Sequence, residues 1–104
     1  MYEHLVVFKF NTALTASQQQ ELLNQLLDFQ GRIPGILDMS AGLNVTEETE
    51  NVHGYTLGLR VTFDSLESLR SYGPHPVHQA FVQSLDGLLE NVVVVDYPKI
   101  NSSL

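Results

Sequence analysis

The chain contains no cysteine, which excludes disulfides, thiolate catalysis and zinc–thiolate sites together. Basic residues are scarce: five Lys and Arg stand against twelve Asp and Glu, for a formal net charge of −7. A nucleic-acid surface needs a basic stripe to displace counterions, and none of these five residues cluster, so DNA and RNA binding are set aside. An anionic membrane surface is disfavoured for the same reason. No stretch approaches the ~20 apolar residues of a membrane span. Met1-Tyr2-Glu3-His4 also lacks a basic segment leading into an apolar run, so no secretory leader is read there. The expectation is a soluble, cytoplasmic protein. Gly-rich phosphate loops, a Ser-His-Asp nucleophile elbow and cofactor fingerprints are missing too, and no cofactor is expected.

What remains is an ordinary globular composition. At 104 residues and 43% apolar, the chain predicts a single domain over residues 1–104, long enough for a real core and too short for two. His4 to Phe10 reads as a strand apolar on both faces, with His4, Val6, Phe8 and Phe10 on one side and Leu5 and Val7 on the other. Thr15 to Gln18 has capping-box spacing. Leu22, Leu26, Phe29 and Ile33 then form a helical stripe that Gly31 and Pro34 should end near residue 31. Leu37, Met39, Ala41, Leu43 and Val45 alternate as a strand with one buried face. Thr46 to His53 is a polar, acidic loop. Tyr55, Leu57, Leu59, Val61 and Phe63 alternate again, and Asp64 to Glu67 offers a second capping-box spacing before a short helix to Tyr72. Val92 to Tyr97, opened by four valines, closes the chain as a strand. Only the tail Asn101-Ser102-Ser103-Leu104 looks loose.

The order β-α-β-β-α-β, with its second helix broken, predicts an α+β, ferredoxin-like fold: a four-stranded antiparallel sheet with its helices on one face. Leu5, Val7, Val93 and Val95 would then lie on the uncovered face. Self-association of the chain through that face, as a homodimer, is the economical way to cover them.

The chemistry concentrates in Tyr72-Gly73-Pro74-His75-Pro76-Val77-His78. Pro76 suits the first position of a helix, which makes His75 its cap and puts His78 in the first turn. Val82, Leu85 and Leu89 follow at spacings of four, seven and eleven, so His78 shares an inward stripe, with the helix running to about Leu89. Such a histidine has two readings. It is either a neutral base, its pKa lowered by burial and the helix N-terminus and raised again by a nearby Asp96, or a core residue bonded to Asp96. Tyr72 either presents its hydroxyl to a pocket or anchors the helix break. His75 reads as a structural cap and His53 as solvated. No third ligand stands near His75 and His78, so no metal site is expected there, and Glu47-Glu48-Thr49-Glu50 reads as a solvated loop open to adventitious Mg²⁺ or Ca²⁺.

Several segments together resemble the stress-responsive dimeric α/β-barrel (Dabb) family, which is related to plant polyketide cyclases. They are His4 to Phe10, Ile33-Pro34-Gly35-Ile36, Gly54-Tyr55-Thr56, Phe63 with Ser65, Tyr72, His75-Pro76-Val77-His78, and Val95-Asp96-Tyr97. The resemblance covers residues 2 to 98. It implies a homodimer whose two sheets meet as a barrel, without implying one activity. Carried over from the cyclase that closes a linear polyketide by aldol condensation, it implies His78 as catalytic base, Tyr72 as the phenol that polarises a carbonyl, and Asp96 as the carboxylate that positions the base. His4 matches a further pocket histidine, while Leu57 stands where the cyclase has another. Val6, Phe8, Leu57, Leu59 and Phe81 would complete an apolar, substrate-binding wall suited to flat molecules bearing one or two oxygens. Two functions follow: a cofactor-free acid–base pocket for a small aromatic or polyketide-like carbonyl compound, or a non-catalytic stress-response or binding dimer in which His78 and Asp96 are structural. Whether Leu22, Leu23, Leu26 and Leu27 fill the space between helix and sheet decides between them.

Overall fold

In the computed structural model, which describes residues 1–100, the strands are β1 (Tyr2–Phe10), β2 (Ile36–Leu43), β3 (Tyr55–Phe63) and β4 (Leu89–Pro98). The helices are α1 (Ala16–Leu27), α2 (Leu66–Tyr72) and α3 (Pro76–Ser84), and one turn of 3₁₀ helix spans Thr49–Asn51. The tail from Asn101 lies outside the described residues. The strands form one antiparallel sheet in the order β2-β3-β1-β4, the ferredoxin-like arrangement expected from the order of elements.

Alternation along β1 and β3 decides which face the helices cover. Val6 and Phe8 of β1, with Leu57, Leu59, Val61 and Phe63 of β3, are buried against Leu22 and Leu26 of α1, Phe29, Ile33, Tyr72 and Phe81. The opposite face stays open, with Val7, Val93 and Val95 39%, 43% and 52% exposed. Polar residues interrupt it: Glu3 is almost fully buried there, accepting a hydrogen bond from Thr62 at 2.7 Å beside Arg60. Nothing in the sequence pattern marked Glu3 as buried.

Several boundaries differ from expectation, each for a local reason. Helix α1 closes at Leu27 with Asp28 as its cap, and a tight turn follows in which Phe29 accepts from both Arg32 and Ile33, so Phe29 and Ile33 reach the core from a turn. A bulge between Ile36 and Asp38 throws Leu37 outward, and Val45 lies beyond β2, leaving Met39 as the one fully buried residue of that strand. The cap of α2 is Ser65, which accepts from the Ser68 backbone, while Asp64 accepts from the Ser68 hydroxyl. Helix α3 ends at Ser84, so Leu89 belongs to β4. Gly35 holds a left-handed φ of 87°, and a Cβ there would overlap Ser68, which lets the turn before β2 pack against the start of α2.

Candidate functional site

The helix break forms as its residue types require. His75 caps α3 by accepting from the Val77 backbone at 3.1 Å, and Pro76 occupies the first turn, where no N–H is needed. His78 therefore sits in the first turn of α3 beside Tyr72, the last residue of α2, with ring centroids 4.4 Å apart. On the sheet, His4 of β1 and Asp96 of β4 are directly paired across the strands, and His4 Nδ1 meets Asp96 Oδ1 at 2.5 Å. The His4 ring lies edge-on to Tyr72, with centroids 5.2 Å apart.

These four side chains line one cavity of about 390 Å³ between α2, α3 and the β1–β4 half of the sheet. Val6, Phe8, Leu59 and Phe81 supply its apolar wall, together with Leu85, Val92 and Val94. Of the expected wall residues, Leu57 does not line the cavity; it is packed into the core nearer β2. Leu26 reaches the lining while Leu22 and Leu23 do not, so the leucines of α1 leave the space open. A larger hollow of about 550 Å³ lies over Gly42 and Gly58, away from the helices, and its lining holds no histidine or carboxylate.

The hydrogen bonds correct one expectation. Asp96 binds His4, whereas His78 Nδ1 lies 2.9 Å from the carbonyl oxygen of Gly73. The expected contact between His78 and Asp96, catalytic or structural, is therefore replaced by one to the main chain of the helix break. A carbonyl can only accept, so Nδ1 carries the proton and neutral His78 keeps its lone pair on Nε2. Burial holds the His78 pKa below its ordinary 6.5, the Gly73 carbonyl works against that shift, and the neighbouring His4 and His75 add to it. The ring is thus neutral near pH 7. Burial pushes the Tyr72 phenol well above its ordinary value, so it remains a donor. Among the described residues its hydroxyl makes no hydrogen bond, and Tyr72 is one of the residues lining the cavity.

A side chain that can donate and one that can accept thus line one largely apolar space. Two groups on the lining escaped the sequence reading: the Gly73 carbonyl, which no side-chain pattern reports, and Arg70. The signal for Arg70 was its place two residues before Tyr72 at the end of a short helix.

The chain is similar to known proteins along nearly its whole length. The olivetolic acid cyclase of Cannabis sativa is 32% identical over 95 residues, spanning 91% of this chain and 93% of the cyclase. A solved Arabidopsis thaliana protein superposes with a TM-score of 0.86 at 27% identity, with all of both chains covered. A dimeric ferredoxin-like protein of Bacteroides fragilis superposes at 0.73 with 24% identity, over 92% and 93% of the two chains. The model of the stress responsive A/B barrel domain, Dabb, matches residues 2–99, and the chain belongs to that family.

Proposed function

We propose that the chain forms a homodimer through its open sheet face, and that its cavity binds and converts a small aromatic or polyketide-like carbonyl compound by cofactor-free acid–base chemistry. One observation carries the catalytic part: His78 Nδ1 is held by the Gly73 carbonyl, which leaves Nε2 free as a base beside the unpaired hydroxyl of Tyr72. The relation to a cyclase lends it support. The dimer is supported by the exposed valines and by the described dimer of the Bacteroides relative.

In this reading, His78 Nε2 takes a proton from a carbon flanked by two carbonyls. The enolate carbon bonds to a second carbonyl carbon of the same molecule, while Tyr72 donates to the oxygen on which charge collects. The imidazolium returns its proton to that oxygen, so the ring closure is redox-neutral. His4, held by Asp96, walls the site and fixes the ring edge against Tyr72.

The test compares wild type, His78→Gln and Tyr72→Phe on a linear poly-β-keto thioester, following cyclised product by chromatography and folding by thermal melting. His78→Gln should melt close to wild type while turnover falls by roughly 10²–10⁴. A wild type that converts nothing overturns catalysis, and a His78→Gln variant with undiminished turnover overturns His78 as the base. The first result favours the binding dimer.

A further inference from the structure

We propose that Arg70 makes the cavity selective for ligands that carry a single carboxylate besides the carbonyl or phenol presented to His78 and Tyr72. The inference rests on the cavity being a ligand site, as above, and adds the class of ligand. Its basis is an imbalance of charge. The chain has five Lys and Arg, and four of them have acidic partners: Lys9 with Glu90, Arg32 with Asp28, Arg60 with Asp38 and Glu3, and Lys99 with Glu3. Among the described residues Arg70 has none, although the net charge is −7. Arg70 is an exposed residue in the last turn of α2 and is the one Lys or Arg among the residues that line the cavity.

The one carboxylate on the lining, Asp96, is already engaged by His4. The remaining lining is largely apolar, and an anion entering it would find one matching cation. A guanidinium presents a planar pair of N–H donors that fits both oxygens of a carboxylate. A phosphate or a chain of phosphates would need several donors, and this wall offers one guanidinium. The plainer role of Arg70, complementing the carbonyl end of α2, would be served by any cation and would discriminate between no ligands.

The experiment uses two probes of equal shape, 4-hydroxybenzoate and the neutral 4-hydroxybenzamide, titrated by calorimetry against wild type, Arg70→Gln and Arg70→Lys at pH 7. Wild type should bind the benzoate at least about tenfold more tightly, the size of one charge-assisted hydrogen bond. Arg70→Gln should lose that preference and keep its affinity for the amide, and Arg70→Lys should restore part of it. Equal affinities in wild type, or a preference that survives in Arg70→Gln, overturn the role of Arg70 while amide binding leaves the cavity reading intact. A shift in melting temperature with the preference unchanged assigns Arg70 to the helix end alone and overturns selectivity. If neither probe binds, the cavity reading falls and this inference falls with it.

Discussion

The two faces of the sheet are made by the same four strands, and successive side chains alternate between them, yet they end in opposite states. Facing the helices, Val6, Leu59, Val61 and Phe63 are all but inaccessible. On the other face, Val7 of β1 and Val93 and Val95 of β4 remain substantially exposed, and Arg60 there reaches both Asp38 and Glu3. Alternation assigns a residue to a face; it does not say what covers that face. Strand β4 makes the point twice, because Val92 and Val94 on the helix side are also exposed, at 38% and 50%. There the cover is incomplete because the helix break leaves the cavity against β4.

The contrast is sharpened most by removing a side chain from the covered face. Leu26 is wholly buried, and Leu26→Ala should lower the unfolding free energy by about 2–5 kcal/mol through lost burial and the void it leaves. Denaturant melts should report that loss unchanged across protein concentrations. A loss below about 1 kcal/mol would mean that this core collapses around the void.

The open face should respond to concentration instead. Val95→Asp places a carboxylate on the proposed interface of both copies, and burying it unpaired should weaken association by roughly a hundredfold or more, about 2.7 kcal/mol. Sedimentation should find wild type dimeric and the variant monomeric at micromolar concentration, with the far-ultraviolet spectrum preserved. A monomeric wild type would end the dimer proposal.

The smallest effect concerns the cavity wall. Because the folded-state pKa of His78 lies below 6.5, folding favours its neutral ring. That contribution is complete above the unfolded value of about 6.5 and is withdrawn as pH falls through the folded pKa. Denaturation at a series of pH values should show wild type losing stability below that point and His78→Gln lacking this part of the loss. A His78 proton resonance titrating at or above 6.5 would contradict it.

Much of this architecture is legible in short segments, because backbone geometry imposes its periods locally. Leu57 to Phe63 alternate as β3, Thr15 and Gln18 close a capping box, and His75-Pro76 opens α3 wherever the rest of the chain goes. Those residues determined the order of elements, the helix-covered face and the pairing of Tyr72 with His78. Partnership across the fold followed different rules. Asp96 is 92 residues from His4, and strand register alone makes them neighbours, whereas the Gly73 carbonyl that captures His78 belongs to no side-chain pattern. A one-residue bulge turned Leu37 out of the core, and the neighbours Thr62 and Arg60 made the burial of Glu3 tolerable. Such choices depend on distances between elements, which are set only when the sheet and helices pack, so tertiary structure decided them.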